Sequence, residues 1–384
     1  MKILLLHNAV YFPSVGGSNK GTRLLLERLT SRGHSCRVVA RSTNAREPVD
    51  LVSTLNERSI AFLTQADVLL FSLNGVEVRA VSEDIAPAVT NSFAEFAPDW
   101  IFVSSEDFGH HLLRTALALD ASRVVLITHS THDLPFGSAA FRPSKRGREL
   151  IERVRGVMVP SRFVRDYIKE YTERKAAVIR FPFWRSGPYP RFARFDSGFV
   201  TMINPCAVKG ISLFTELARK FAETQFAAVP SWGTTQEDRA RLQQLPNMTI
   251  LEPSENVEDI YSRTKILLAP SLWDEAFGIV AVEAMLYGIP VVASDSGGLP
   301  EAKLGVDYCI PVRRISIYTN QLDDRMLPVA AVPPQDETPW ISALRTLLFD
   351  RATYTRISDH SLTASRAYVA SALAEDVETF LSSI

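Results

Sequence analysis

The sequence predicts an α/β protein made of two open α/β domains in tandem. The chain has 384 residues, which suits two domains of ordinary size. Short apolar runs alternate with amphipathic stretches along most of it, as in parallel sheets covered by helices on both faces. Residues 180–198 interrupt this pattern with three prolines, two glycines and no periodicity. We therefore expect an N-terminal domain over residues 1–185 and a C-terminal domain over residues 196–360, with a helix over about 361–384 packing back on the N-terminal domain.

The apolar runs mark the expected strands. They cover residues 3–7, 36–40, 68–72, 101–104, 124–128 and 157–160 in the first half, and 199–203, 226–229, 248–251, 266–269 and 291–294 in the second. A helical pattern over residues 20–32 has Gly33 as its stop. Ser18 or Asn19 is its expected cap. Residues 313–339, rich in proline and short of periodicity, are expected to be irregular.

Composition excludes several classes of protein. The formal net charge of -1 gives no general affinity for nucleic acid or for an anionic membrane. The segment after Met1 and Lys2 becomes polar too soon for a signal peptide. Three widely separated cysteines fit neither a disulfide framework nor a metal knuckle, and they favour a reducing compartment. We therefore expect a cytoplasmic protein with no nucleic acid partner and no integral membrane association.

Two carboxylates stand out in and just before a helix that is expected to begin near Phe277. Glu283 is the one charged side chain between residues 277 and 294, and a carboxylate buried in so apolar a helix needs a partner. Glu275 lies in the loop just before this helix. An ionised carboxylate accepts hydrogen bonds through two oxygens, which suits the neighbouring hydroxyls of a ribose or a hexose. The alternative is that Glu275 is solvated and Glu283 pairs with a basic side chain.

These residues belong to longer motifs that resemble the retaining GT-B glycosyltransferases of family four. The segment EAFGIVAVE has the E-x7-E form of that family, and PSLWDEAFG, EAMLYGIPVVASDSGGLPE and VPSRFVRDYI extend the match. The segment FPSVGGSNKGTRLLLERLTSRGHSCRVVA resembles the first glycine-rich loop and helix of the family. The resemblance implies a GT-B fold, in which two Rossmann-like α/β domains face each other across a cleft. The N-terminal domain would bind the acceptor and the C-terminal domain the nucleotide-sugar donor.

The resemblance also implies roles for residues of the C-terminal domain. Glu283 would hold the ribose hydroxyls of the donor nucleotide, and Glu275 would hold hydroxyls of the transferred sugar. The backbone of Phe277, Gly278 and Ile279 would contact the diphosphate and the sugar, because the free N–H groups of a helix N-terminus favour an anion.

Lys209 is the implied cation for the departing diphosphate. It precedes Gly210 at a helix start, so that an ammonium and a helix N-terminus point to one place. Taken alone, the same pair is usually a solvated helix start, and its position in the family pattern is what favours the diphosphate contact. The family commonly has an arginine six residues earlier, where this chain has Ile203. Asn204, next to it, is counted among the donor-binding residues, and the group that replaces the arginine is left open.

In the N-terminal half, Gly16 and Gly17 follow the first strand and allow a backbone to approach the donor closely, although a plain tight turn also fits. Lys20 and Arg23 on the next helix either bind the acceptor or form a solvated face.

The segment ITHSTHD places two histidines after a strand. Family members often carry a His-Asp pair here, and His132 with Asp133 fits that pattern better than His129. The implied role of His132 is a contact with the donor sugar or the reacting centre, with Asp133 on the acceptor side. His7, His34, His110 and His111 are assigned structural roles.

The expected reaction is transfer of a sugar, with retention and by front-side attack, from a nucleoside-diphosphate sugar to a soluble small molecule or glycan. UDP is the favoured nucleotide. No cofactor is expected, because the nucleoside-diphosphate sugar is a substrate. No metal is expected, because no D-x-D follows a strand, and Asp323 with Asp324 lies in the irregular stretch. Three alternatives stay open: a non-catalytic sugar-nucleotide-binding partner, a GT-B enzyme with a thiol acceptor or epimerase activity, and an α/β protein without sugar chemistry.

Overall fold

The computed structural model describes residues 1–14, 16–44, 49–182, 184, 187–254, 256–371 and 375–384. The chain divides into two compact units, one of Met1–Phe183 with Ala372–Ile384 and the other of Trp184–Ser371. Each unit is built on its own mainly parallel β-sheet with helices between the strands, which confirms the expected α/β class. Phe183, Arg185 and Ser186, in the expected connection, lie outside the described residues.

The first unit begins with a long apolar strand and continues through alternating strands and helices. Its strands are β1 (Lys2–Val10), β2 (Ser35–Arg41), β3 (Phe62–Gln65), β4 (Val68–Leu73), β5 (Val76–Val81), β6 (Trp100–Ser104), β7 (Val124–Ile127), β8 (Gly156–Val159) and β9 (Ala177–Val178). Its helices up to this point are α1 (Gly16–Ser31), α2 (Leu51–Glu57), α3 (Ile85–Phe96), α4 (His111–Asp120), α5 (Lys145–Ile151) and α6 (Arg162–Tyr171).

The sheet of the first unit has the order β3-β4-β5-β2-β1-β6-β7-β8-β9. It is parallel except for β4, which pairs antiparallel with both β3 and β5. The expected strand over 68–72 therefore exists, but it lies in a meander and not in a parallel series. Asn74 and Gly75, with φ of 49° and 82°, form the two-residue connection between β4 and β5. So short a connection can join only antiparallel strands.

Helix α1 begins earlier than the sequence predicted. Gly16 and Gly17 are its first residues, and not a loop before it. Ser18, one of the two expected caps, lies inside the helix and donates a hydrogen bond from Oγ to Glu106 Oε1. Its side chain therefore makes a tertiary contact and does not cap the helix. The stop is as expected, because Gly33 has a φ of 92° and its N–H bonds to the last turn.

The second unit repeats the alternation of strand and helix. Its strands are β10 (Phe199–Ile203), β11 (Phe226–Val229), β12 (Met248–Ile250), β13 (Thr264–Ala269), β14 (Val291–Ser294), β15 (Cys309–Ile310), β16 (Tyr318–Leu322) and β17 (Pro328–Ala330). Its helices are α7 (Ile211–Lys220), α8 (Gln236–Gln243), α9 (Glu258–Tyr261), α10 (Ile279–Leu286), α11 (Leu299–Ala302), α12 (Thr338–Phe349) and α13 (Arg351–Ala370). The main sheet, in the order β12-β11-β10-β13-β14-β15, is parallel throughout.

The stretch over 313–339 is not wholly irregular, because β16 and β17 form an antiparallel hairpin within it. Asp323 shapes the turn: its Oδ1 accepts hydrogen bonds from the N–H groups of Arg325 and Leu327, both at 2.9 Å. Tyr318 and Ala330 pack against an apolar cluster of Cys206, Val208, Leu272 and Ile315. The sequence hid this hairpin because its strands are short and largely exposed, so they lack an apolar run.

The single helix expected over 361–384 is two helices. The first is the end of α13, in the second unit, and the other is α14 (Glu375–Ser383), in the first unit. Val377 and Leu381 of α14 are buried. Glu378 forms an ion pair with Arg32 at 2.8 Å, and its Oε1 lies within hydrogen-bond distance of His34 Nε2, at 2.7 Å.

Within the described part of the chain, every helix is too short or too polar to cross a bilayer. Cys36, Cys206 and Cys309 are all free thiols, and the first two are buried.

Candidate functional site

The loops after four neighbouring strands of the second unit carry the candidate site. Strands β11, β10, β13 and β14 are parallel and adjacent, so their carboxyl ends lie at one edge of the sheet. After β10 the chain adds β11 and β12 on one side of the sheet, and after β13 it adds β14 and β15 on the other side. The gap between β10 and β13 is therefore a topological switch point. Ligands of open α/β sheets bind at such points. Lys209 follows β10 and Glu275 follows β13, so both predicted residues belong to this place.

Lys209 and Glu275 form an ion pair. Lys209 ends a 3₁₀ turn over Ala207–Lys209, and its Nζ donates a hydrogen bond to Glu275 Oε1. The same oxygen accepts a hydrogen bond from Ser271 Oγ at 2.5 Å. Burial by itself raises the pKa of Glu275, but the charge and hydrogen bond of Lys209 and the hydrogen bonds of Ser271 and Trp273 outweigh it. The net pKa is lowered, so Glu275 is a carboxylate at neutral pH.

Backbone contacts hold the two loops of this pair together. The carbonyl oxygen of Val208 accepts hydrogen bonds from the N–H of Leu272 at 2.9 Å and from that of Trp273 at 3.3 Å. Gly210, with a φ of 85°, passes so close to the Pro270 carbonyl that a Cβ would collide with it. The glycine after Lys209 therefore allows the loops to meet.

Two further glycines fix the backbone of Glu275 from the side of β14. The N–H of Gly298 donates to the Glu275 carbonyl at 2.6 Å. Gly297 has a φ of 60°, and a Cβ there would collide with the backbone N and O of Glu275. Both glycines lie in the DSGGLPE segment, which the sequence marked as part of the resemblance but to which it gave no role.

Glu283 lies on α10 and is 7% exposed. Its Oε2 accepts a hydrogen bond from the Tyr261 hydroxyl at 3.3 Å. Burial and the charge of Glu283 raise the pKa of Tyr261 far above its usual value, so the phenol keeps the proton that it donates. One partner of Glu283 is therefore a phenol, which the sequence did not indicate. Its contact with a ribose stays a prediction.

The start of α10 is anchored by an aromatic contact. Phe277 is buried, and its ring stacks on Tyr368 of α13 with centroids 5.6 Å apart. Gly278 follows with a φ of 105°, and a Cβ there would lie 2.5 Å from Leu299 Cδ2. Ile279 is the first residue of the helix, so the backbone of this segment presents the free N–H groups of a helix N-terminus.

Asn204 offers a second donor at the same edge. It is 5% exposed and has a φ of 58°. Its Oδ1 accepts from the N–H of Gly233 at 2.9 Å, whereas its Nδ2 has no hydrogen-bond partner among the described residues. Ile203 packs against an apolar cluster of Ala227, Val229, Leu251 and Ile260. The side chain at position 203 therefore serves the core.

Trp232 and Trp273 are the neighbours of Lys209 that the sequence did not reveal. The Lys209 ammonium lies 4.7 Å from the ring centroid of Trp273 and 5.8 Å from that of Trp232. The two rings are 5.8 Å apart. One feature of the sequence could have indicated them: each tryptophan follows a strand of the parallel sheet, β11 or β13, at the edge where ligands bind.

In the first unit, the side chain of Arg23 contacts neighbouring side chains of the same unit. It forms an ion pair with Glu27 at 3.5 Å, and its guanidinium lies 5.6 Å from the ring centroid of Phe12. Lys20 is half-buried on the same helix. Contacts of either side chain with an acceptor stay predictions.

The predicted histidine segment is buried. His132 is 3% exposed, and its Nδ1 lies 3.3 Å from Ser130 Oγ. Asp133 is half-buried and lines a small pocket together with Ser104, Asp107 and His110 and with leucine and isoleucine side chains. The assignment of His132 to the donor sugar and of Asp133 to the acceptor stays a prediction.

His129, which the sequence ranked below His132, joins a second buried histidine. Its Nε2 lies 2.7 Å from Thr22 Oγ1 on α1. Burial lowers the pKa of His129 to about 3, and the charge of His7 adds to the effect. Burial also lowers the pKa of His7 to about 4, against a hydrogen bond with Asn19 that raises it. Both imidazoles are therefore neutral at pH 7.

Among the residues that the structure describes, no three His, Cys, Asp or Glu side chains are grouped so that they could hold a metal ion. Metal independence stays a prediction.

The fold of the chain is that of the GT-B class. Sucrose-phosphate synthase from Thermosynechococcus elongatus is similar to it with a TM-score of 0.71 and 16% sequence identity over 100% of both chains. HepE from Anabaena, in complex with UDP and glucose, is similar with a TM-score of 0.69 and 15% identity, again over 100% of both chains. At such low identity these likenesses establish the fold alone.

Matches to two sequence families show which class of enzymes the chain belongs to. The family described as "Glycosyltransferase Family 4" matches residues 15–180, and the one described as "Glycosyl transferases group 1" matches residues 194–324. The chain belongs to the GT-B glycosyltransferases. A curated relative, the D-inositol 3-phosphate glycosyltransferase of Corynebacterium diphtheriae, is 33% identical over 105 residues, which are 25% of this chain and 24% of the relative. The matches cover no more than 26% of the length of the curated relatives.

Proposed function

We propose that this chain transfers a sugar from a nucleoside-diphosphate sugar, with UDP favoured, to a soluble small-molecule or glycan acceptor, with retention at the anomeric carbon. The observation that carries the proposal is the ion pair of Lys209 and Glu275 at the switch point of the second sheet. It places a cation and an ionised carboxylate side by side, as a diphosphate and the hydroxyls of its sugar require.

On the donor side, the Lys209 ammonium meets the diphosphate and Glu275 accepts hydrogen bonds from hydroxyls of the transferred sugar. Glu283 accepts from the ribose. The N–H groups at the start of α10 and the unpartnered Nδ2 of Asn204 supply further donors for phosphate oxygens.

Transfer by front-side attack needs no protein nucleophile. The acceptor hydroxyl oxygen forms a bond to the anomeric carbon while the bond from that carbon to the diphosphate oxygen breaks on the same face. The acceptor proton passes to the departing oxygen. Negative charge grows on the diphosphate in this step, and Lys209 stabilises it; a contact of this kind is worth about 3–4 kcal/mol.

Features of similar proteins support two of the finer choices. HepE was solved with UDP, although starch synthase IV from Arabidopsis thaliana was solved with ADP. The D-inositol 3-phosphate named in the curated relatives is a small soluble compound, which favours an acceptor of that kind. Lys20, Arg23 and Asp133 of the first unit are our candidates to contact the acceptor, and His132 is our candidate to contact the donor sugar or the reacting centre. Three free thiols agree with a cytoplasmic, reducing location.

The test begins with a thermal-shift screen of UDP, GDP, ADP and dTDP and their sugars, since a ligand at a hundred times its Kd adds about 2.7 kcal/mol of stability. The donor that binds is then incubated with candidate acceptors, and proton NMR of the product reads the anomeric configuration. Lys209→Ala is expected to lower kcat on the order of 10²- to 10³-fold. An inverted product, or wild-type turnover in Lys209→Ala with chemistry limiting, would remove the proposed mechanism.

A second candidate is a non-catalytic sugar-nucleotide-binding partner of another transferase. The packing of Ile203 in an apolar cluster favours it, because that position then adds no cation for a leaving group. Binding of a nucleotide sugar with neither transfer nor hydrolysis by the isolated chain would select this candidate.

A further inference from the structure

The Lys209 ammonium lies in an aromatic corner, by which we mean the ring faces of Trp232 and Trp273. The distances from Nζ to the two ring centroids, 5.8 and 4.7 Å, are both within the range of cation–π attraction. Both tryptophans are half-buried, so water is partly excluded from the contact. The cation–π attraction between an ammonium and a ring is stronger when the ammonium is weakly hydrated than when it is fully hydrated.

Separate parts of the second unit fix the two rings. Trp273 is held by its backbone, since its N–H donates to Val208 O at 3.3 Å and its carbonyl accepts from Ser296 Oγ. Trp232 is held by the hairpin, since Arg325 Nε donates to the Trp232 carbonyl at 3.0 Å. The hairpin therefore contributes to the surroundings of Lys209 through Trp232.

Glu275 has two tasks that compete. It is the counterion of Lys209 in the structure, and in the proposed function it also binds hydroxyls of the sugar. A carboxylate that turns to the sugar holds the ammonium less firmly, and a lysine side chain is flexible enough to leave its place. Aromatic faces attract the ammonium without cancelling its charge, so they can hold it while it meets the diphosphate.

We propose that Trp232 and Trp273 are positioning residues, which keep the Lys209 ammonium in place while Glu275 binds the transferred sugar. This inference rests on the proposed function. The tryptophans act through Lys209, so their effect on transfer requires the lysine.

A double-mutant cycle on kcat tests the dependence. Trp273→Leu and Trp232→Leu are each expected to lower kcat about tenfold, with less change in the donor KM. The reason is that a displaced Lys209 ammonium no longer stabilises the negative charge that grows on the diphosphate in the transition state. Trp→Phe at either position keeps a ring face and restores most of the rate. In a Lys209→Met background the same Leu substitutions are expected to change the residual kcat by less than about twofold. Trp100→Phe in the first unit is the matched aromatic control and leaves kcat unchanged.

Unaltered kcat in both Leu variants overturns the inference. So does an equal loss with and without Lys209, because that result means a merely structural role. Should Trp273→Leu fail to fold, Trp232→Leu and the two Phe variants decide the same question.

A spectroscopic arm works without turnover. The chain has five tryptophans, and ¹⁵N-labelled protein reports each indole N–H as one NMR signal. Lys209→Met is expected to move the signals that are missing in Trp232→Leu and Trp273→Leu, and to leave that of Trp100 in place. Unmoved signals overturn the inference whatever the activity. If the wild type transfers no sugar but both signals move, the proposed transfer is overturned and the inference about the tryptophans is not. The double-mutant cycle is then repeated with UDP affinity, measured by calorimetry, in place of kcat, and it decides whether the tryptophans position Lys209 for a diphosphate.

Discussion

Glu275 and Glu283 are carboxylates in unlike surroundings, which is why we expect them to recognise different parts of one ligand. Glu275 accepts hydrogen bonds from Lys209 and Ser271, whereas Glu283 is buried and accepts a hydrogen bond from the Tyr261 hydroxyl. The ribose is common to UDP and a UDP-sugar, but the hexose is present only in the latter. Glu283→Gln is therefore expected to weaken both ligands, and Glu275→Gln to weaken the UDP-sugar alone, by about tenfold or more. Calorimetric titration of each variant with each ligand measures this.

Tyr261→Phe serves as the control for Glu283. It removes the phenol donor and keeps the carboxylate, so it is expected to reduce affinity less than Glu283→Gln does. Wild-type affinity for UDP in Glu283→Gln, or a loss of UDP affinity in Glu275→Gln, would contradict the assignment.

Single residues of the site could be found from the sequence where they are local to a motif. Glu275, Glu283 and Lys209 each stand beside a strand end or a helix start that the sequence marks. The contacts of Lys209 with Trp232 and Trp273 could not be predicted in this way. They depend on the tertiary approach of loops that follow three different strands, and no sequence spacing records that distance.

At the scale of elements, the turn before α11 positions Glu275 through two glycines. Gly297→Ala is expected to lower the affinity for a nucleotide sugar and to cost about 1–3 kcal/mol of stability, because the residue has a positive φ and its Cβ would collide with the Glu275 backbone. Gly305→Ala is the matched control, since Gly305 also has a positive φ, of 79°, but its Cβ would meet nothing within 4 Å. Denaturant unfolding and donor titration of both variants measure the two effects.

The control is expected to lose about 1 kcal/mol of stability from backbone strain and to keep its donor affinity. Equal donor affinity in the two alanine variants would show that the loop of Glu275 tolerates the collision.

Elements that are buried on both faces were predictable, because a strand in a parallel sheet forms a continuous apolar run. Strands β1 and β10 are of this kind. The hairpin of β16 and β17 was missed because most of its side chains are exposed. The start of α1 was missed because glycines disfavour a helix in isolation, and the tertiary hydrogen bond from Ser18 to Glu106 leaves no mark in the local sequence.

At the scale of the whole molecule, the buried histidines of the first unit make stability depend on pH. Unfolded histidine titrates near pH 6.5, whereas the pKa of His7 is about 4 and that of His129 about 3 in the folded chain. Below pH 6.5 the unfolded chain binds more protons, so this contribution is complete above pH 6.5 and is lost as the pH falls toward 4. The loss is up to about 1.4 kcal/mol per pH unit for each histidine.

Urea unfolding at pH 7, 6 and 5, followed by circular dichroism, measures this slope. His129→Gln is expected to reduce it, since one of the two buried imidazoles is gone. A slope that is unchanged in this variant would assign the acid sensitivity to other groups.

The whole transfer reaction is expected to proceed without a divalent metal. Lys209 and the N-terminus of α10 supply positive charge where a metal would otherwise neutralise the diphosphate. Turnover of the wild type should therefore be the same in EDTA as in Mg²⁺ or Mn²⁺. Complete loss of transfer in EDTA, with recovery on addition of Mn²⁺, would contradict the expectation.

Helix α14 completes a unit whose other elements all lie before residue 184, with the second unit between them in the sequence. Phe380 and Ile384 lie against Gly156 so closely that a Cβ there would be 2.7 and 2.8 Å from them, and Glu378 is paired with Arg32. A chimera that exchanges the first unit between two homologues therefore needs two recombination points, near residues 183 and 371. With one point, the hybrid would join the amino-terminal part of this unit from one parent to the closing helix of the other.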